Sequence, residues 1–252
     1  MYLLKIVWAI PFVILIFLIA FIFAIIPVWI MRLMGLRKAS DRFAYFAATL
    51  VCDCFLFLFG CRVHIDGDIH ALREMCNSGK KVCIIANHTS MLDIPVVYGA
   101  MCIKCGFITK SEYKYVPILN LCCTSLYCVF INRNNPKKGI QSIKEGAALI
   151  KQGHPMLIFP EGSRSKDGKI HEFMHGSFRL ATLSGSAVVP VVIKGARRAL
   201  ENRKGFFSGS DCYVKIGEFT ETAGLDRFQS AAMIESVESY IKREYDSMKG
   251  EV

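Results

Sequence analysis

Short apolar runs alternate with longer amphipathic segments along most of this chain. The runs fall at residues 63–65, 82–86, 106–109, 127–131, 156–159, 187–193 and 212–216. Their length and their content of Val, Ile and aromatic residues predict buried strands. Helical patterns separate many of them. The clearest covers residues 137–152, with Asn135 as N-cap, Pro136 at the first helical position and Gly153 just past the end. The polar tail at 226–249 is also helical in pattern, and Met233, Val237, Tyr240 and Ile241 form one apolar stripe suited to packing. Strand and helix in alternation predict a layered α/β domain. No internal repeat or low-complexity linker interrupts it.

The N-terminal pattern is different. Residues 6–31 carry no charge, enough to span a bilayer as a helix. Trp8 and Trp29 are separated by about 30 Å on such a helix, close to the thickness of the hydrocarbon core. A second apolar stretch, 43–59, is broken only by Asp53 and is marginal for a span. Arg32, Arg37, Lys38 and Arg42 lie between the two, and only Lys5 precedes the first. If both crossed, this basic loop would lie outside, against the positive-inside rule. Either the first alone spans, or both lie in the interface as a hairpin with the basic loop at the cytoplasmic headgroups. Both arrangements divide the chain into membrane-anchoring helices at 1–60 and a cytoplasm-facing domain at 61–252. A pair of buried helices in a soluble protein is the plain alternative.

Composition sharpens this picture. The chain has 252 residues, a single-domain length, and is 53% hydrophobic, above the usual globular range. The formal net charge is +10, which suits anionic headgroups, polyanionic donors or an acidic carrier protein. The cations are dispersed, without a basic run interleaved with aromatics, so nucleic acid is a poor partner. The 11 cysteines, an odd number in apolar company, read as reduced thiols rather than a disulfide framework.

Two strand ends concentrate the chemistry. The run at 82–86 opens into Asn87-His88-Thr89-Ser90, with Asp93 following. A neutral imidazole acts as a base with one nitrogen when a partner holds the other, and Asp93 is such a partner for His88. Residues five apart do not share a helix face, so the chain must bend between them, and Ser90 is a suitable place. The same letters also spell a capping box, Ser90-x-x-Asp93, or an N-cap at Asp93 with Pro95 in the first turn, which would leave His88 an ordinary loop histidine. The run at 156–159 ends in Pro160-Glu161-Gly162-Ser163-Arg164. Proline stops the ladder, glycine permits a tight turn, and arginine offers a phosphate two parallel hydrogen bonds. Alone, this segment reads as a simple strand–turn with a solvated arginine.

Together the two segments resemble the glycerolipid acyltransferases, and among them the 1-acylglycerol-3-phosphate acyltransferases. That family's NHxSxxD block corresponds to Asn87 to Asp93, and its FPEGSR block to Phe159 to Arg164. An intervening strand ending in an acidic residue and arginine corresponds to Val129-Phe130-Ile131-Asn132-Arg133, and a Val-Pro-apolar strand to Val189 to Ile193. The resemblance covers about residues 60–220. Asn132 stands where an aspartate is usual, and Asn120 where a glycine is usual. The resemblance implies a layered αβα domain around a mostly central mixed sheet. It implies His88 and Asp93 as catalytic residues, and Arg133, Gly162, Ser163 and Arg164 as a grip on the acceptor phosphate. Glu161 would orient that turn, and Lys110 would be a further anion contact. The implied reaction moves an acyl group from acyl-CoA or acyl carrier protein to lysophosphatidate in the membrane, giving phosphatidate, with no metal or prosthetic group.

Other motifs compete. His171-Glu172-Phe173-Met174-His175 matches HExxH, but Gly168 and Gly176 leave little room for the helix a zinc site needs, and no third ligand is evident. Residues 162–169 miss the spacing of a phosphate-binding loop. Cys102-x-x-Cys105 lacks a second pair. The nucleophile elbow GxSxG is absent, which favours direct transfer over an acyl-serine intermediate. An acyltransferase with another acceptor, such as glycerol 3-phosphate, and a non-catalytic lipid-binding protein remain as alternatives.

Overall fold

The computed structural model describes Leu15, Ile19, residues 21–202 and residues 209–249. Two helices lead into the domain, α1 (Ile26–Leu33) and α2 (Arg37–Leu58). Gly35, at φ 75°, makes the corner between them, and Ser40 Oγ donates to Val28 O at 3.2 Å, tying the start of α2 back to α1. Half of the uncharged run at 6–31 lies outside the described residues, and so does the start of the expected span at Trp8. Among the described residues, no helix is long and apolar enough to cross a membrane. The stretch 43–59 belongs to α2, which buries Ala44, Tyr45 and Leu56 on the domain and donates from Thr49 Oγ1 to Tyr98 O at 3.0 Å.

Among the described residues the domain has eight strands: β1 (Cys61–Asp66), β2 (Val82–Ala86), β3 (Gly106–Lys110), β4 (Val129–Ile131), β5 (Met156–Ile158), β6 (Ala187–Lys194), β7 (Ser210–Ile216) and β8 (Thr220–Glu221). They form one sheet in the order β1-β7-β6-β2-β5-β3-β4, with β8 also on β6. The stretch from β6 to β4 is parallel, whereas β7 and β8 run antiparallel to β6. Alternate residues of the central strands feed two cores. Ile84, Leu157 and Val189 face one side, against α2 and α3 (Ile69–Asn77). Cys83, Met156 and Val188 face the other. This is the expected αβα layering around a mixed sheet. Both faces are covered, which is why the central strands read as continuous apolar runs.

The connecting helices are α4 (Asp93–Pro95), α5 (Pro117–Ser125), α6 (Pro136–Lys151), α7 (Arg179–Ser184), α8 (Ala196–Leu200) and α9 (Arg227–Ser247). The Asn135 side chain caps α6 by accepting from Lys138 N. Asp226 and Gln229 form a reciprocal capping box at α9, and α9 buries Met233, Val237, Ile241 and Tyr245. β4 begins two residues later than expected because Tyr127 is left-handed, at φ 58°. Pro190, with no N–H, sits inside the central strand β6. On the antiparallel side, pairing with β8 ends at Val188 and pairing with β7 starts at Val191, so Pro190 falls in the gap.

Candidate active site

In a parallel sheet the C-terminal strand ends lie on one edge, where open α/β domains bind ligands. β2 and β5 are neighbours, so the residues after Ala86 and after Ile158 emerge side by side. The Asn87 amide extends the ladder past the end of β2. Its Nδ2 donates to Ile193 O and its Oδ1 accepts from Ile193 N, both at 2.8 Å. This fully buried pairing fixes the backbone from which His88 projects.

His88 and Asp93 meet. Nδ1 of His88 lies 2.8 Å from Asp93 Oδ2, and that oxygen also accepts the backbone N–H groups of Thr89 and Ser90 at 2.9 Å. Asp93 is fully buried. An ionised carboxylate only accepts, so Nδ1 carries the proton and Nε2 keeps its lone pair. The capping reading is met only in part: Asp93 Oδ2 takes Ser90 N–H, but Ser90 Oγ accepts from Leu92 N at 3.0 Å rather than from Asp93 N, and Asp93 opens α4 instead of capping it, Leu92 being the residue before the helix. One carboxylate bends the chain and orients the imidazole. Phe159 stacks on the His88 ring, with centroids 4.0 Å apart and planes at 15°.

The Glu161 carboxylate reaches out of its own turn across to β2, accepting from His88 N at 2.7 Å and from His171 N at 3.2 Å. It is 8% exposed. Burial pushes its pKa up, against the opposing pull of those two N–H bonds. Gly162 makes the turn at φ 72°. Ser163 and Arg164 are exposed beyond it.

Arg197 in α8 and Glu201 just past its end, two residues that sequence reasoning missed, bind the two strand ends together. Arg197 donates to Ser165 O at 2.8 Å and to Thr89 O at 3.4 Å. Glu201 accepts from Ser90 Oγ and Met91 N, both at 2.8 Å, and lies 3.6 Å from Arg164 NH1. The signal was their four-residue spacing, which places two opposite charges on one side of a helical turn.

Lys110 and Arg133 stand apart from this group. Lys110 ends β3 and Arg133 follows β4, and adjacent strands are about 4.8 Å apart. By that spacing Lys110 ends a strand about 10 Å from β2. Arg133 follows β4 and Arg164 the turn after β5, two strands apart in the sheet, so the cations form a band along one edge. Lys110 and Arg133 share a neighbour, Glu112. Its carboxyl lies below the usual range, through its own backbone N–H first and the Ser111 hydroxyl next, with smaller contributions from both cations. Asn132 Oδ1 accepts from Asn134 N at 3.0 Å, a bond an aspartate oxygen would accept equally, and Asn120 Oδ1 accepts from Thr124 Oγ1. His171 and His175 do not share a helix face: 171–174 is loop, and His175 begins a short 3-10 turn. Among the described residues no cluster suited to a metal ion is present.

An imidazole base with an oriented tautomer, beside a turn presenting a guanidinium, can deprotonate an alcohol attached to an anionic group. The model of the Acyltransferase family matches residues 65–194, which include all of these groups. The chain belongs to the acyltransferase family. It is similar to a chloroplastic 1-acyl-sn-glycerol-3-phosphate acyltransferase of Arabidopsis thaliana, with 29% identity over 63% of this chain and 43% of the relative. It is also similar to a 1-acyl-sn-glycerol-3-phosphate acyltransferase of Limnanthes douglasii, with 33% identity over 60% of this chain and 51% of that protein. The chain spans about half the length of these relatives. The crystal structure of the 1-acyl-sn-glycerophosphate acyltransferase of Thermotoga maritima has the same fold. Its TM-score is 0.70 at 23% identity, covering 94% of this chain and 98% of that one.

Proposed function

We propose that this member of the acyltransferase family moves a fatty acyl group from a thioester of coenzyme A or acyl carrier protein to the sn-2 hydroxyl of 1-acylglycerol-3-phosphate, giving phosphatidate. The observation that carries the reading is the His88–Asp93 pair, held at 2.8 Å on the same sheet edge as Arg164. The activity for which the relatives are named supports it.

Nε2 of His88 takes the proton of the acceptor hydroxyl as that oxygen attacks the thioester carbonyl. Asp93 holds the Nδ1 proton and stabilises the imidazolium that forms, as in a triad without its serine. The tetrahedral intermediate collapses, the C–S bond breaks, and the imidazolium returns its proton to the departing thiolate. Arg164, with Gly162 and Ser163, grips the acceptor phosphate, while Lys110 and Arg133 offer positive charge farther along the edge to the anionic donor. The acceptor lives in a bilayer. The exposed apolar side chains of the helical corner, Leu33, Met34 and Leu36, beside exposed Arg37, Lys38 and Arg42, suit an anionic membrane surface. On this reading the domain lies on the cytoplasmic side, with its N-terminal helices in or on the membrane.

The test is His88→Ala in the purified, folded protein, assayed with lysophosphatidate and acyl donor. Loss of a general base is expected to lower kcat by about 100-fold or more; near-normal turnover excludes the mechanism. An acceptor panel including glycerol 3-phosphate separates lysophosphatidate from the alternatives, and retention of lipid without any transfer would leave only a binding protein.

A further inference from the structure

We propose that Glu201 is a positioning residue of this site, one that sets the Ser90–Met91 turn and holds Arg164 in competition with the acceptor's phosphate. The proposal rests on the reading that Arg164 grips that phosphate. Glu201 is held firmly on one side and loosely on the other. Its two oxygens take Ser90 Oγ–H and Met91 N–H at 2.8 Å, strong bonds to a carboxylate. Its approach to Arg164 NH1 is 3.6 Å, beyond hydrogen-bond range, with the arginine side chain 42% exposed and the glutamate 20% exposed. Such a pair is weak. The asymmetry says which partner moves: the carboxylate stays with the turn, and the guanidinium leaves.

A phosphate offers Arg164 a planar, bidentate match at short distance, which Glu201 does not. When the phosphate takes the guanidinium, Glu201 keeps both of its bonds to the turn, and its negative charge remains beside an anion of the same sign. That charge weakens binding of the phosphorylated acceptor and equally of the phosphorylated product, so it favours release. Through Ser90 and Met91 the same residue borders the loop that holds the His88–Asp93 pair. Chain geometry thus couples the phosphate grip to the base without Glu201 touching either substrate.

Glu201→Gln is the decisive variant. The amide oxygen accepts from Met91 N–H, and the amide nitrogen donates to Ser90 Oγ, so both contacts to the turn persist while the charge is lost and the Ser90 hydroxyl gives up its acceptor. With the full chain in mixed detergent micelles, the KM for lysophosphatidate and the inhibition constant of inorganic phosphate are expected to fall about two- to five-fold. The donor KM is expected to stay constant. Glu201→Ala removes the turn bonds as well and is expected to lower kcat by about ten-fold, which the glutamine variant does not. An acceptor KM that is unchanged or raised in Glu201→Gln overturns the proposal, even if the alanine variant fails to fold. Arg164→Lys, measured beside it, separates the two ideas. If that change leaves the acceptor KM untouched, the phosphate reading of Arg164 fails. If it raises the KM while Glu201→Gln does not lower it, only the role of Glu201 fails.

Discussion

Glu161 illustrates how a single buried carboxylate serves two strands. It sits at the end of β5 yet bonds the His88 N–H at the end of β2, so it aligns the backbone that carries the base. Its burial raises its pKa. A carboxyl with a raised folded-state pKa binds a proton more readily folded than unfolded. Its contribution to stability therefore increases as pH falls through the raised value toward the ordinary glutamate range, about 4.3. Glu161→Gln removes that titration and leaves one of the two N–H groups facing an amide nitrogen. At neutral pH the variant loses a satisfied acceptor but no longer buries a charge. On acidification the wild type is expected to gain stability relative to the variant, read as the difference between thermal midpoints at pH 7 and pH 5. A constant difference would mean that Glu161 does not titrate in this window.

At the scale of elements, the contact between the helical corner and the sheet depends on a small polar group. Asp41 of α2 accepts from Arg32 of α1 at 3.1 Å and from the Tyr127 hydroxyl at 2.8 Å. Arg32 also donates to Ser125 O at 2.9 Å, at the end of α5. The Tyr127 ring stacks on His154, with centroids 3.9 Å apart, and lies under Arg32. Two helices, the end of α5 and the approach to β4 thus meet on one carboxylate. Tyr127→Phe keeps the ring contacts and removes only the bond to Asp41. A hydrogen bond to a charged group contributes about 1.5–3 kcal/mol, and partial exposure here puts the loss toward the lower figure. The variant is expected to melt earlier and to be cleaved faster by protease between α2 and β1, with the acceptor KM in micelles little changed. Unaltered cleavage would show that the apolar contacts of α2 suffice to hold it.

For the whole molecule, α1, α2 and the residues flanking α1 carry Phe23, Ile30, Leu33, Met34, Phe46 and Phe57 in exposed positions. That much apolar surface is costly in water and favourable in a bilayer interface. A double change, Leu33→Glu with Met34→Glu, alters residues that are 86% and 68% exposed and so leaves packing intact. Activity on lysophosphatidate embedded in anionic vesicles is expected to fall about ten-fold or more, while activity on a short-chain acceptor in solution changes little. Equal activity of both proteins on vesicles would remove this surface from the account of membrane placement.

Much of this was legible along the chain. The seven apolar runs each became a strand, because a strand buried on both faces needs apolar residues throughout and the chain marks it directly. Asn135, Pro136 and Gly153 delimited α6, because caps and breakers act on adjacent backbone. His88 and Asp93 were readable as a pair, because they stand five positions apart and one carboxylate closes the loop between them. The band of cations was not. Lys110, Arg133 and Arg164 share an edge, but strand order alone sets their separations, and no local pattern encodes that β5 lies between β2 and β3. Glu201 and Arg197 were hidden for the same reason. They are more than 100 residues from the turn they hold, and only the packing of α8 beside the end of β2 brings them there. Local backbone chemistry decided the elements and the base; strand order and helix packing decided which charges surround it.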